Sequence, residues 1–294
     1  MLVKCKNLYL KYYSEYLMHQ AKKMLSDEDK RILSKNKIFL NAYQGKRCFI
    51  LGNGPSLKKQ DLSTLKNEYV FTANLVSKFQ GIEKAKSNFH FVSDPIFFEG
   101  DQEERDRFLN DIKKMETFNS EVKYFCLLQK KTLFEEKISP DKSYFFSQGA
   151  EIYDGYQKNC DYTSIIPNFT TVVDAMIMFA VYAGFQEIYL LGCDCTGILP
   201  WIQSKSEDVQ MQSYAYETDG KDKKMLARMS NRWRAEEMFK HEANLFKEYR
   251  ILKDYCAARN VSLVNCTAGG ILDELPIKKL EDVLNEKAKT PSKI

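Results

Sequence analysis

The sequence predicts an α/β protein that is built on an open, mostly parallel sheet. Short apolar runs alternate along the chain with segments whose apolar residues have helical spacing. Three of these runs end in a small polar residue, a pattern typical of strands whose carboxyl ends line a ligand crevice. With 294 residues, of which 44% are apolar and 13% aromatic, the chain can bury a sizeable core.

The stretch around which the chain is organised runs from Arg47 to Leu57. Its apolar residues 48–51 predict a buried strand, which ends at two glycines and a proline suited to the first turn of a helix. Gly52 and Gly54 let the backbone turn sharply and approach a ligand closely, and the helix N-terminus presents N–H groups to an anion. The loop suits a nucleotide phosphate or ribose. A plain strand-turn-helix unit stays open, because neither a P-loop nor a complete dinucleotide motif follows.

Two further strand candidates, residues 69–73 and 89–93, end beside Asn74 and Asp94. Asn53 occupies the corresponding place after the first strand. Because the carboxyl ends of parallel strands meet at one edge of a sheet, we expect these three side chains to line one crevice. The alternative for each residue alone is a helix cap or a turn, which short polar side chains form routinely.

The rest of the chain continues the alternation. Residues 1–43 predict one or two amphipathic helices, and residues 130–161 predict an irregular connecting region on the surface. Further helices are expected at 102–117, 170–184 and 235–259, and further strands at 122–128, 187–194 and 261–265. Thr170 and Thr171 begin the most apolar helix, where they are placed to cap it or to hold a ligand oxygen.

Residues 196–234 are polar and are expected to form a lid, because long polar loops inside a compact domain usually bind or cover ligands. Tyr214 and Tyr216 are placed to hold phosphates there, together with a group of cations. These cations are Lys223, Lys224, Arg228, Arg232 and Arg234. A solvated helix is the alternative.

Composition and patterning exclude several function classes. A net charge of +4, spread over many residues of both signs, does not predict nucleic-acid binding. The longest apolar run, residues 172–184, contains Asp174 and is shorter than the roughly 18 residues that span a bilayer. Because no signal peptide is recognised either, a cytoplasmic protein is expected. Cys193 and Cys195 have no second cysteine pair or histidine nearby in sequence, so no metal site is expected.

Five motifs occur in the order and spacing of a known family. They are residues 52–57, Asn74 after its strand, residues 91–98 around Asp94, residues 184–194 and residues 213–216. With them the sequence resembles the bacterial sialyltransferases of glycosyltransferase family 42 and their wider relatives, the domain-of-unknown-function-115 proteins of polysaccharide clusters. Those relatives are often labelled pterin pyrophosphokinase-like. The resemblance covers roughly residues 46–276.

The resemblance implies a GT-A-like variant of the Rossmann sheet with a lid, which binds a nucleotide sugar without a metal. In family 42 the donor is CMP-sialic acid, and transfer proceeds with inversion through a histidine base and two tyrosines on the donor phosphate. The positions that the resemblance and the loop chemistry assign to the donor are Gly52, Asn53, Gly54, Ser56, Asn74, Asp94, Thr170, Thr171, Tyr214 and Tyr216.

Three positions depart from the family pattern. The family has asparagine where Asp94 stands, its other phosphate tyrosine falls near Thr196, and Val172 replaces a small residue. These departures concern the identity of the donor more than they concern glycosyl transfer.

An inverting transferase needs a base that takes the proton of the acceptor hydroxyl, and histidine titrates near the working pH. The chain has His19 outside the matched region, His90 inside a strand, and His241 on the helix after the lid. His241 lies about as far before the last strand as the family's catalytic histidine, within roughly two residues. We therefore expect His241 to be the base, with Asp194 as its substitute. A histidine that fills a helix–sheet contact is the alternative.

We expect an inverting, metal-independent glycosyltransferase without a cofactor. Its co-substrate would be a nucleotide sugar, and its acceptor an oligosaccharide or lipid-linked precursor of a bacterial surface glycan. The expected domains are a helical extension (1–45), a transferase domain (46–276) and a charged tail (277–294). Two alternatives are an ATP- and magnesium-dependent pyrophosphokinase of the pterin type, for which few strand-end carboxylates are present, and a non-catalytic nucleotide-binding protein.

The placement of the protein in the cell also follows from these expectations. It would be cytoplasmic and peripheral on the inner face of the cell membrane, because of the family and of the basic ends of the chain. The helices of residues 1–43 allow two interpretations, an extension packed on the domain or a basic face on an anionic membrane. A homo-oligomer stays open.

Overall fold

The computed structural model describes residues 2–203, 214–217 and 234–286. The strands are β1 (Arg47–Leu51), β2 (Tyr69–Ala73), β3 (Phe89–Val92), β4 (Lys123–Leu127), β5 (Ser143–Glu151), β6 (Ile165–Asn168), β7 (Glu187–Leu191) and β8 (Ser262–Asn265). The α-helices in these ranges are α1 (Leu2–Met24), α2 (Asp27–Ser34), α3 (Gln102–Lys113), α4 (Met115–Phe118), α5 (Lys131–Glu135), α6 (Val172–Tyr182), α7 (Ile198–Gln203), α8 (Ala235–Ala257) and α9 (Leu280–Asn285). Short 3-10 helices follow β1 at Pro55–Lys59 and β3 at Pro95–Phe98.

The described strands form one parallel sheet in the order β6-β5-β4-β3-β2-β1-β7-β8. The chain builds the sheet outward from β1 to β6 and then returns to the other side of β1 with β7 and β8. The strand order therefore reverses between β1 and β7. In open α/β sheets, ligands bind beyond the carboxyl ends of the strands at such a switch point. The predicted mostly parallel α/β fold is confirmed.

Both faces of the sheet are buried, which explains why its central strands are apolar at almost every position. In β1, Cys48 and Ile50 belong to the core on one face, whereas Phe49 and Leu51 belong to the core on the other. The first face is covered by α6 and α8, and the second by α3 and the short 3-10 helices. The sheet is thus held from both sides, and its carboxyl edge carries the loops.

The helix α6 crosses the first face and is apolar all round, as its sequence predicted. Every residue from 173 to 180 is buried, including Asp174. The helix ends before Gly184, whose φ of +90° is a left-handed conformation that glycine adopts at little cost. Because α6 directly follows β6, its N-terminus with Thr170 and Thr171 lies at the carboxyl edge of the sheet.

Residues 130–161 are not an irregular surface connection, and that prediction is wrong. They contain α5 and the nine-residue strand β5, which pairs with β4 and β6. Tyr144 and Phe146, whose aromatic character suggested an exposed loop, are buried in the core. The pattern was missed because β5 ends in the polar stretch 148–151 and because β6 contains Pro167, which is tolerated at the edge of a sheet.

The two ends of the chain and the lid complete the description. Residues 1–45 contain α1 and α2, and within the expected tail α9 buries Leu280 and Val283. In the expected lid, residues 196–203, 214–217 and Arg234 are described. The lid cations Lys223, Lys224, Arg228 and Arg232 lie outside the described residues. In the described parts of the chain, no helix is both long and apolar enough to cross a membrane.

Candidate functional site

The loops after β1 and β7 lie in direct backbone contact at the switch point. The Gly52 N–H donates to the Leu191 carbonyl, and the Gly54 N–H to the Gly192 carbonyl, both at 2.8 Å. A Cβ atom at Gly52 would lie 2.4 Å from the Gly192 oxygen, and one at Gly54 would lie 2.6 Å from it. The two glycines of the motif are therefore required first of all by the packing of one loop against the other.

Asp194 fills the anion position at the start of the 3-10 helix Pro55–Lys59. Its carboxylate accepts hydrogen bonds from the Ser56 hydroxyl at 2.7 Å and from the Ser56 N–H at 3.3 Å. Asp194 is buried, and its carbonyl accepts from the Ile271 N–H at 2.9 Å. The place that the sequence assigned to a phosphate thus holds a carboxylate of the protein. Asp194, which was expected as a substitute base, joins its own loop by hydrogen bonds to Ser56 and Ile271.

Asn53 and Asn74 lie side by side at the ends of β1 and β2. The Asn53 amide donates to the Ala73 carbonyl at 3.1 Å, which joins the two strand ends. The Oδ1 atoms of both asparagines are buried and accept no hydrogen bond from the described residues. Asn74 has a φ of +52°, a left-handed conformation that asparagine tolerates better than most residues. Two buried acceptor oxygens therefore lie at the carboxyl ends of β1 and β2.

The described part of the lid docks on this edge. The Ala215 N–H donates to the Asn53 carbonyl at 2.9 Å, and the rings of Tyr214 and Tyr216 stack with centroids 5.2 Å apart. Burial raises the pKa of Tyr214, and the charge of Asp94 raises it further. The two tyrosines thus lie beside the end of β1, with their rings packed on the protein core.

Asp94 and His241 are brought together from β3 and α8. The Asp94 carboxylate accepts from the Ile96 N–H at 3.0 Å and so caps the 3-10 helix Pro95–Phe98. Burial raises the pKa of Asp94, and His241 is among the groups that lower it. Asp94 therefore interacts electrostatically with both Tyr214 and His241. His241 is half-buried in the second turn of α8, with its Nδ1 atom 3.6 Å from Glu242 Oε1.

Thr170 and Thr171 are engaged within the protein. The Thr170 N–H donates to Glu248 Oε2 at 2.7 Å, and the Asn244 amide donates to Glu248 Oε1 and to the Thr170 hydroxyl, both at 3.0 Å. The Thr171 hydroxyl donates to Asp174 Oδ2 at 2.9 Å instead of capping α6. These bonds fix the first half of α8 on the N-terminus of α6. They therefore determine where His241 lies.

The carboxyl groups of Asp174 and Glu248 face each other in this network, and both are buried. Burial raises the pKa of Asp174 well above its usual value, and the charge of Glu248 raises it further. Burial also raises the pKa of Glu248, against the hydrogen bonds from Thr170. The pair therefore holds a proton under conditions in which exposed carboxyl groups are ionised.

Sequence reasoning missed Asn244 and Glu248, which lie on the polar side of an amphipathic helix and carry no signal of their own. Asp174 did carry a signal, since it is the charged residue of an otherwise apolar helix, but it served only to argue against a membrane span. Within the described residues, no group of three or more His, Cys, Asp or Glu side chains is placed to hold a metal ion.

A family model described as 6-hydroxymethylpterin diphosphokinase MptE-like matches residues 17–197. This range is more than half of the 294 residues. The chain belongs to the MptE-like family. The match includes both loops of the switch point and the asparagines, whereas α8 with His241, Asn244 and Glu248 lies beyond it. Membership bears out the expected relationship to the wider, pterin pyrophosphokinase-like relatives.

Several solved structures to which this MptE-like chain is similar are sialyltransferases. The sialyltransferase CstII from Campylobacter jejuni in complex with cytidine-5'-monophosphate has a TM-score of 0.44 at 17% identity, covering 80% of this chain and 85% of that one. A Cst-II complex with a trisaccharide acceptor and CMP gives 0.45 at 19%, covering 82% and 88%. The monofunctional alpha-2,3-sialyltransferase Cst-I from Campylobacter jejuni gives 0.46 at 17%, covering 79% and 80%.

Among curated proteins, none matches this member of the MptE-like family. The TM-scores above describe a partial overlap of folds. The chemistry of the chain has to be inferred from its own residues.

Proposed function

We propose that the protein is an inverting glycosyltransferase that moves a sugar from a nucleotide donor to a glycan acceptor. The nucleotide lies at the switch point between β1 and β7, and the reacting atoms lie between the strand ends and α8. The proposal is carried by one observation, the two buried acceptor oxygens of Asn53 and Asn74.

Unpaired acceptor oxygens favour a neutral ligand group that carries hydrogen-bond donors such as hydroxyls. A buried acceptor without a donor costs about 1 to 3 kcal/mol, so a ligand that supplies donors gains this amount on binding. The hydroxyls of a ribose and the amino group of a base are donors of this kind. A phosphate offers mostly acceptors, and the anion position beside the asparagines is already filled by Asp194.

His241 is the base in this proposal. The acceptor hydroxyl attacks the anomeric carbon of the donor sugar, and the bond from that carbon to the phosphate oxygen breaks. The nucleotide leaves with the electron pair, and His241 takes the hydroxyl proton. Its place beside Asp94 supports this role, because a nearby carboxylate stabilises the imidazolium that forms.

The donor and the acceptor are proposed on the resemblance to family 42. CMP-sialic acid is the first donor to test, and an oligosaccharide or lipid-linked glycan is the acceptor. Because Asp94 replaces the asparagine of the family, another nucleotide sugar is the next choice. Transfer is proposed to need neither a cofactor nor a metal ion.

A second candidate is supported by membership of the MptE-like family. A 6-hydroxymethylpterin diphosphokinase transfers diphosphate from ATP to a pterin alcohol with the help of magnesium, which prefers carboxylate and phosphate oxygens. Asp94 and Asp194 are the acids that follow β3 and β7. Since each already accepts a backbone hydrogen bond, we rank this candidate second.

The experiment that separates the candidates is a thermal shift screen of the full chain. CMP, CDP, UDP, GDP and ATP are added one at a time, each with and without magnesium, because a ligand that binds the folded state raises Tm. A shift with CMP, UDP or GDP that does not need magnesium supports the transferase and names its nucleotide. A shift found only with ATP and magnesium overturns the proposal in favour of the diphosphokinase.

Turnover is then measured as release of the identified nucleotide from its sugar. His241→Gln is expected to lower the rate by about 100-fold or more while the thermal shift persists. His19→Gln, on the exposed side of α1, is the matched control and should react like the wild type. Equal rates in the two variants would remove His241 from the mechanism.

A further inference from the structure

The outer side of α1 carries a stripe of exposed tyrosines. Tyr9, Tyr12, Tyr13 and Tyr16 have the spacing i, i+3, i+4, i+7, which places them on one face of the helix. Their exposed fractions are 65%, 63%, 49% and 57%, and the rings of Tyr9 and Tyr13 stack with centroids 5.8 Å apart. We call these four residues the tyrosine stripe.

The stripe does not hold α1 to the domain, because another face of the helix does. The Ser14 hydroxyl donates to the Glu151 carbonyl at 2.7 Å, and the Met18 sulfur lies 3.2 Å from the Ala150 N–H. This face lies on β5 and β6, opposite the tyrosines. Four large rings at one exposed face are more than scattered surface apolarity and mark an interaction surface.

The charge of the helix indicates what the surface binds. Residues 2–24 contain the lysines Lys4, Lys6, Lys11, Lys22 and Lys23 and one acid, Glu15. Five positive charges and one negative charge leave a net +4. Glu15 is turned to the domain, where it accepts from the Tyr153 hydroxyl at 2.6 Å and lies 3.3 Å from Lys158. By helical spacing Lys23 lies on the side of the tyrosine stripe, whereas Lys11 and Lys22 lie nearer the side of Met18. All three are exposed, so the helix as a whole combines aromatic rings with positive charge.

A second copy of α1 is a poor partner for this surface. Each copy would bring the net charge of +4, in an antiparallel pair as in a parallel one. Like charges repel in both arrangements. An anionic lipid surface instead attracts each lysine, and tyrosine rings are favoured at the headgroup level, where one end of the side chain is apolar and the other is hydrated.

We propose that the tyrosine stripe of α1 docks on an anionic membrane surface, with the helix lying in the plane of the headgroups. The lysines of α1 lie toward its two ends, on either side of residues 12–21, which suits a helix that lies on a bilayer. The inference is independent of the proposed glycosyl transfer, since it rests on residues far from the switch point in sequence. It identifies the surface by which the enzyme would reach a membrane-bound acceptor.

The test uses the full chain and vesicles of phosphatidylcholine, with and without phosphatidylglycerol, in a flotation assay at low and high salt. The wild type is expected to float with the mixed vesicles at low salt and to be released at high salt. The variant Tyr9→Ser/Tyr12→Ser/Tyr13→Ser/Tyr16→Ser should partition at least about tenfold more weakly, with unchanged Tm. Ile277→Ser, which alters a 68% exposed residue elsewhere, is the matched control and should bind like the wild type.

A second variant tests the electrostatic part without altering the rings. Lys22→Gln/Lys23→Gln should lower binding to the mixed vesicles by about tenfold and reduce the salt dependence. Binding that does not depend on phosphatidylglycerol, or that is unchanged in the tyrosine variant, overturns the proposal. So does a dimer in light scattering that the tyrosine variant dissociates while neither protein binds vesicles. Nucleotide-induced thermal shifts should be equal in all these proteins, so failure here is distinct from failure of the transferase proposal.

Discussion

Two groups of polar residues meet at the switch point, and they differ in how their hydrogen bonds are satisfied. In the loop junction, formed by Gly52, Gly54, Ser56, Gly192 and Asp194, donors and acceptors of the two loops pair with each other. In the crevice group, by which we mean Asn53, Asn74, Asp94 and His241, the Oδ1 atoms of the two asparagines are buried and accept no hydrogen bond from the described residues. The glycine motif therefore builds the scaffold, and the two asparagine oxygens beside it keep unused acceptor capacity.

A Cβ atom added in the loop junction should destabilise the fold strongly. A Cβ at Gly54 would lie 1.9 Å from Asp194 Oδ2 and 2.6 Å from the Gly192 carbonyl, both of which are fixed by hydrogen bonds. We expect Gly54→Ala to lower the free energy of unfolding by more than about 3 kcal/mol, measured by urea denaturation. Gly155→Ala is the control, because its φ is +79° but nothing lies within 4 Å of the added atom. It should cost only about 1 kcal/mol of backbone strain. Equal losses would mean that the loops adjust freely.

A change at Asp194 tests the hydrogen bonds by which this residue joins the two loops. Asp194→Ala leaves the Ser56 hydroxyl and N–H buried without their acceptor, and we expect it to cost about 2 to 3 kcal/mol in urea unfolding. Asp194→Asn keeps one acceptor oxygen and should cost about half as much. A structural role predicts that Asp194→Asn retains most of the turnover. An inactive but fully stable Asp194→Asn protein would instead identify this residue as the base.

The buried carboxyl pair of Asp174 and Glu248 should make the free energy of unfolding depend on pH. Asp174 has a pKa above its unfolded value of about 3.9, so the folded protein binds more protons than the unfolded one above that pH. The free energy of unfolding contributed by Asp174 therefore falls as the pH rises from about 4 toward its folded pKa, by up to about 1.4 kcal/mol per unit. Asp174→Asn should remove this fall, as measured by urea unfolding from pH 5 to 8. The matched control, Asp154→Asn at an exposed ion pair with Arg250, should keep the slope of the wild type.

The contrast between junction and crevice also explains how far the sequence could be interpreted. The carboxyl edge of the sheet could be located from short stretches of sequence. An apolar run followed by Asn53, Asn74 or Asp94 marks a strand end without reference to the rest of the chain. The partnership of Ser56 with Asp194 joins residues 138 positions apart and leaves no local trace. The loop therefore resembled an anion site, although the anion is supplied by the protein itself.

The residues of α8 illustrate the same limit. His241 was found only through a resemblance, and Asn244 and Glu248 were not found, since polar residues recur at every turn of an amphipathic helix. Which of them face the site depends on how α8 docks on the N-terminus of α6, and that is a property of the tertiary structure. Asp174 is the exception, because a charged residue in an apolar helix indicates a buried polar partner, here Glu248.

The smallest expected change in stability belongs to the crevice and tests it most directly. Asn74→Gly removes the unpaired Oδ1 atom and suits the φ of +52°, so the free energy of unfolding should change by less than about 0.5 kcal/mol. Affinity for the nucleotide identified by thermal shift should fall by about tenfold, which corresponds to one lost hydrogen bond of about 1.4 kcal/mol. Asn260→Gly is the control, since Asn260 has a φ of +57° and is an exposed residue that follows α8 in the sequence. If Asn74→Gly weakened folding and left calorimetric affinity unchanged, Asn74 would belong with the loop junction, and the ligand would have to lie elsewhere along the edge.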